Sequence, residues 1–226
     1  MSEAEAHRFV FPPEALEFFR SLAENNEKDW FSAHRDQYVE AVQKPAKAFV
    51  AVVGPMLEEL AEQSLDAKIF RINRDLRFAK DKTPYKTYQH FLFAPPGRGK
   101  AGPAFFFGLE PDRLFVGAGM FAFTGGELSR YRKAILAPQG AELAALIDER
   151  NAKGCRLSEP ELKTVPRGFD ADHPRSALLM HKGLSVWIDI DDVGYALRPD
   201  FSDHLRRDFA SLLPAYRWLC DHVIDG

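Results

Sequence analysis

The sequence predicts a single α+β domain over residues 1–226, in which N-terminal helices precede a mainly antiparallel sheet packed with further helices. Apolar residues recur every three or four positions in the first third. They alternate singly through the middle third and return to mixed spacing in the last. Strands do not alternate regularly with helices, as a doubly wound parallel sheet requires. At 226 residues and 46% apolar composition, the chain can bury one full-sized core.

Pro12 and Pro13 suit a helix start, Leu16, Phe19 and Leu22 follow at intervals of three, and Asn25-Asn26 supplies an end signal. A second helix is expected from about Glu27, with Phe31, Arg35, Tyr38 and Val42 along one side. A third follows Pro45 with Phe49, Val53 and Leu57 inward, and Pro55 is expected to kink or split it. Alternation then begins at Ile69 and continues through strands at 89–94, 104–109 and 113–123, the last two joined by a Glu110-Pro111-Asp112 hairpin turn. Prolines and glycines across 95–103 mark a mobile surface loop. Thr124 and Glu127 have the spacing of a capping box, opening a helix with Leu128, Tyr131 and Ile135 on one side. Pro138 starts another, carrying Leu143, Leu146 and Ile147. The last third predicts a strand at 184–190, a helix at 202–213, and a final helix opened by Pro214 that carries Trp218 and Leu219.

Only Cys155 and Cys220 are present, without a CxxC pair, so the core rather than disulfides must stabilise the fold and a reducing compartment fits. The opening MSEAEAHRFVFPPEAL lacks the unbroken apolar stretch of a secretory signal. The apolar run 104–109 is far below the ~20 residues of a membrane span. A soluble, cytoplasmic protein without membrane contact is expected. A net charge of −3 and a pI near 6.2 disfavour a nucleic-acid partner. One segment departs from that average. Between Arg71 and Lys86 six Lys or Arg stand against two Asp, a local charge of +4.

Written as a strand, FRINRDLRF places Phe70, Ile72, Leu76 and Phe78 on one face and Arg71, Asn73, Asp75 and Arg77 on the other. Arg74 falls on the apolar face. It is therefore expected to be largely buried and held by a distant carboxylate rather than by Asp75, whose side chain points the other way. Pro84 and Asp81 interrupt the strand, which leaves Lys80, Lys82 and Lys86 on a loop beside the polar face. The segment FRINRDLRFAKDKTPYKTY resembles the signature of the uncharacterised family catalogued as domain of unknown function 2461. NNEKDWF (25–31) and PRGFDADHP (166–174) resemble the same family's pattern, so the likeness runs from about Phe9 to the last helix. The resemblance implies no established activity, cofactor or partner. Ala79 stands where many relatives are expected to carry Ser, so no mechanism rests on a hydroxyl there. Gly119-Met120-Phe121 replaces a segment that often carries Trp.

The basic motif reads either as a solvated face with local Asp pairing or as a site of anion recognition. Arg71, Arg74 and Arg77 offer guanidinium forks, Lys80, Lys82 and Lys86 point charges, Tyr85 a hydrogen-bonding ring, and Asp75 a local partner. The first expectation is thus an anionic or phosphate-bearing small ligand, with or without chemistry and with no cofactor implied. The alternatives are a module docking an acidic protein or nucleic-acid segment on the same face, and a metal-dependent hydrolase. The last would use Asp170, Asp172 and His173 with a distant ligand such as His181, although Asp and His before Pro174 also fit a helix N-cap. Asp189, Asp191 and Asp192 read as turn formers at a strand end. Gly117-Ala118-Gly119 lacks the third glycine of a dinucleotide fingerprint, and Gly125-Gly126 fits the capping box better than a phosphate cradle. Cys155 has no sequence-local base, Trp30, Phe31 and Tyr38 read as core, and His34 as a satisfied histidine. The sequence leaves the oligomeric state open.

Overall fold

The computed structural model describes residues 8–224, so the first seven residues of the N-terminal segment weighed as a signal lie outside the described residues. Helix α1 (Pro13–Glu24) starts with proline in its first turn and buries Leu16, Phe18, Phe19 and Leu22. A helical run then occupies 28–61 as α2 (Lys28–Ala33), α3 (Arg35–Tyr38), a π-helical turn (Val39–Gln43) and α4 (Lys44–Ala61). Pro55 does not split α4. Pro55 and Ala51, whose carbonyl it deprives of a donor, both lie on the exposed side, where water serves the free oxygen.

Six antiparallel strands form one sheet in the order β1-β2-β3-β4-β6-β5. They are β1 (Asp66–Ile69), β2 (Gln89–Ala94), β3 (Ala104–Leu109), β4 (Leu114–Met120), β5 (Arg156–Leu157) and β6 (Leu184–Ile190). The hairpin at 110–112 pairs Leu109 with Leu114, as its turn residues require. One face buries Phe91, Phe93, Phe105, Phe107 and Val116 in the same core as α1, α4 and α7 (Phe201–Leu219). A second cluster joins α5 (Gly125–Leu136) and α6 (Pro138–Ala152) through Tyr131, Ile135 and Leu143 to Trp218. The Thr124–Glu127 capping box is formed in both directions. Like Pro55, Pro214 sits inside a continuous helix, α7, because it and Ala210 face outward. The loop at 95–103 contains a 3₁₀ turn (Gly99–Ala101).

The strand expected over 70–78 is not formed. β1 ends at Ile69, and beyond it only Asn73 and Tyr85 make an isolated bridge. The chain pairs with its own return arm rather than with the sheet, through Arg74 N–H to Pro84 O (2.9 Å) and Lys86 N–H to Ile72 O (2.7 Å). Burial still alternates through Ile72, which is 1% exposed, to Leu76, but Phe78 is 95% exposed instead of sharing that face.

His181 is 3% exposed and its Nδ1 has no hydrogen-bond partner among the described residues. Burial pushes its pKa down, against the opposing pull of Glu161. The fold therefore favours neutral imidazole, while the unfolded chain takes up the proton near its usual ~6.5, so stability is lost as pH falls through that range. Between about pH 7.5 and about pH 5.5 the urea midpoint is expected to drop, and His181→Leu to flatten part of that drop. Equal pH slopes for the two proteins would contradict this.

Candidate functional site

Residues 70–88 leave the sheet as a basic excursion between β1 and β2, and α2 anchors it. Asn26 clamps its return arm, with Asn26 Nδ2–H donating to Tyr85 O (2.9 Å) and Tyr85 N–H to Asn26 Oδ1 (3.0 Å). The Tyr85 ring stacks on Phe31 at 4.2 Å. Gln89 secures the outgoing arm by donating to Phe70 O (2.6 Å). Two of the sequence segments that carry the family resemblance, 25–31 and 70–88, are thereby brought together.

Between this excursion and the helical run lies a cleft of about 660 Å³. The π-helical turn shapes its helical wall. An extra residue per turn shifts the phase, so Ala41 and Val42 go to the core while Tyr38, Val39 and Gln43 line the cleft. Arg35, Lys47 and Arg71 stand at the rim, exposed, and none has a carboxylate in ion-pair distance among the described residues. Among the described residues no Asp or Glu lines the cleft. The half-buried Tyr38 hydroxyl, whose pKa burial raises, stays protonated and can donate. Gln89, 2% exposed, uses its amide N–H groups on Phe70 O and His90 O, which leaves its side-chain oxygen as an acceptor. Arg35 and Lys47 are twelve residues apart, about 18 Å of helix.

The motif residues divide. Arg71 and Tyr85 line the cleft, and with Arg74, Asp75, Arg77 and Lys28 they also line an adjoining concavity of about 460 Å³, whereas Lys80, Lys82 and Lys86 line neither. Arg74 is held by a carboxylate other than Asp75, as expected, but by a near rather than a distant one. Its side chain keeps 26% exposure and binds Asp81 and Thr83, seven and nine residues on, because the return arm folds back over it. The Thr83 N–H and then Arg74 hold the Asp81 carboxyl down at about 2. Asp75 is gripped by Arg77 at 2.6 Å, which also lowers its pKa. Lys82 donates to Leu76 O (3.0 Å), Lys80 is exposed at the tip, and Lys86 lies 5.9 Å from the centroids of Phe70 and Tyr88. Arg35, Tyr38, Gln43 and Lys47 are site residues that sequence reasoning did not single out. Trp30, Phe31 and Tyr38 are half-buried and pack against the core through Phe18, with Phe31 and Tyr38 also walling the cleft, while His34 is satisfied, with Nδ1 2.8 Å from Trp30 O and its ring stacked on the indole.

Elsewhere the polar motifs are local. Asp170 Oδ1 accepts the Asp172 N–H (2.9 Å), and His173 Nδ1 accepts the Arg175 N–H (3.1 Å). The structure does not gather them with His181. Among the described residues no group of three or more His, Cys, Asp or Glu has the arrangement to hold a metal ion. Asp189 pairs with Arg156, and Asp192 caps Gly194.

A family model described as conserved hypothetical protein (DUF2461) matches residues 14–218 of the chain. No curated protein matches it. Among the described residues no helix is long and apolar enough to cross a membrane.

Proposed function

We propose, for a chain that belongs to the conserved hypothetical protein family DUF2461, that the cleft between the π-helical turn and the basic excursion binds an elongated anionic ligand, phosphate-bearing in the first instance. The observation that carries this reading is the sign of the lining. In a protein of net charge −3, three rim cations without a carboxylate in ion-pair distance among the described residues converge on a concavity that no described Asp or Glu lines. Their field favours an anion. The spacing of Arg35 and Lys47 favours a ligand charged at both ends, with Tyr38 and Gln89 offering one donor and one acceptor between them.

A second reading has its own observation. Phe78, 95% exposed, stands beside Arg77 and Lys80 at the tip of the excursion, which suits docking of an acidic protein or nucleic-acid segment without chemistry.

Thermal melts with inorganic phosphate and tripolyphosphate at fixed ionic strength separate the two. Tripolyphosphate is expected to stabilise the wild type by mass action, and Arg71→Met to weaken that binding about tenfold or more, the loss expected for one charge-assisted contact. Lys82→Met, on the excursion's own carbonyl, should bind as the wild type does. Absence of any stabilisation refutes the cleft reading. A loss that follows Arg77 and Lys80 rather than Arg71 favours the docking tip.

A further inference from the structure

The outer face of the sheet carries a second concavity, independent of the cleft. Opposite the core, β2 presents Leu92 and Ala94, β3 Phe106, β4 Phe115 and β6 Trp187, with Phe106 paired to Gly117 and Gly117 to Trp187. Glycines floor this face. A Cβ on Gly117 would stand 2.3 Å from the Trp187 ring, and one on Gly108 2.1 Å from the Phe115 ring, so their absence lets both rings lie against the strands. The indole is stacked on Phe106 (5.3 Å, 26°), and its N–H donates to Ser185 Oγ at 2.8 Å. Phe121, 47% exposed, continues the same layer at 33° to the indole, while Phe115 stands at 79° as a wall. Trp187, Phe115 and Phe121 line a depression of about 330 Å³.

Its lining holds two arginines and two glutamates, and its polar groups differ in kind. Arg113 is bonded to Glu110 (2.8 Å) and Arg156 to Asp189 (2.8 Å), so the two cations are already compensated, while Glu159 and Glu161 also line the depression. An incoming anion would meet those carboxylates. Ser185 is 4% exposed, and its Oγ accepts the indole N–H yet donates to no described residue. Ser158 Oγ likewise accepts the Ser185 N–H (3.1 Å) and donates to none. A methylated ammonium group is held by aromatic faces on several sides. Here Trp187 and Phe121 lie 33° apart beside the buried Phe106, which tilts 45° from Phe121, and the two lining rings suit the C–H face of a ring.

We infer that this depression binds a neutral, hydroxyl-rich ring, of the carbohydrate class. The ring lies on Trp187 and Phe121, and its hydroxyls meet the Arg113 and Arg156 N–H groups, the unused Ser185 and Ser158 hydroxyls, and the Glu159 carboxylate.

Calorimetric titration of the full chain with maltotriose, cellotriose, mannotriose and triacetylchitotriose tests this inference. At least one is expected to saturate with Kd near about 1 mM. Phe121→Ala should weaken that binding about tenfold at unchanged melting temperature, since the ring is exposed. Arg71→Met, in the other concavity, should bind the sugar as the wild type does. The inference is overturned if none of the four saturates, if Phe121→Ala binds like the wild type, or if tetramethylammonium occupies the depression in their place.

Discussion

Gly119→Ala is expected to destabilise the protein by about 4 kcal/mol or more, combining a strained backbone with an overpacked contact. Gly119 has φ +147°, a conformation that side chains with a Cβ rarely adopt. It pairs with Ser185 in the ladder between β4 and β6. A methyl there would lie 2.2 Å from Leu184 O and 2.4 Å from Ser185 Cα. Both obstacles are main chain, so relief requires opening the ladder in the middle of the sheet. Against a total stability of about 5–15 kcal/mol, that loss leaves a marginal or unfolded domain. Gly125→Ala is the control. A Cβ there meets nothing within 4 Å, and the position is the first residue of α5, so its effect should stay within about 1 kcal/mol of zero. Urea unfolding of the three proteins decides the matter, and a Gly119→Ala value within about 1 kcal/mol of the wild type would contradict the steric argument. The same contacts explain why Gly117-Ala118-Gly119 is not half of a nucleotide fingerprint. One glycine admits an indole and the other admits a neighbouring strand.

How much of this was legible in the sequence depended on whether the controlling contacts are local. Strands β2, β3 and β6 are apolar runs bounded by turn residues, and the observed limits agree with those read from the pattern. β1 gave no signal before Ile69 because Asp66–Ile69 is an exposed edge without alternation, and β5 is only two residues long. Pro55 and Pro214 misled because a proline's cost depends on whether the freed carbonyl faces water, a tertiary fact. The cleft was half visible. Arg71 and Tyr85 stood in a conspicuous motif, whereas Arg35, Tyr38 and Lys47 were hidden in helical spacing. A stripe facing a core and a stripe facing a cleft have the same period, and the π-helical turn that separates them leaves no compositional mark. The partner of Arg74 was sought at a distance because strand alternation was extended into a segment that closes on itself through Asp81 and Thr83.

Asn26 was read only as a helix end, yet its substitution is expected to have the largest effect on the cleft. Its carboxamide makes two hydrogen bonds to the main chain of Tyr85, 59 residues away, and satisfies both the N–H and the C=O of that residue. Tyr85 is 9% exposed, so water replaces those partners poorly. Asn26→Ala should therefore cost about 2–4 kcal/mol, two lost hydrogen bonds that leave buried groups unpaired. Asn26→Asp should not rescue it. A carboxylate still accepts from the Tyr85 N–H but faces the Tyr85 carbonyl with a second acceptor. Asn25→Ala removes only an exposed bond to Ser21 O at the end of α1 and should stay within about 0.5 kcal/mol. The functional consequence follows from the anchor. With Tyr85 released, the stack on Phe31 loosens and Arg71 no longer holds its place at the rim, so tripolyphosphate stabilisation should fall with Asn26→Ala although Asn26 is not among the residues lining the cleft. Melts of Asn25→Ala, Asn26→Ala and Asn26→Asp with and without tripolyphosphate check both halves. An Asn26→Ala protein that keeps the wild-type anion response would show that the clamp supports the fold without shaping the cleft.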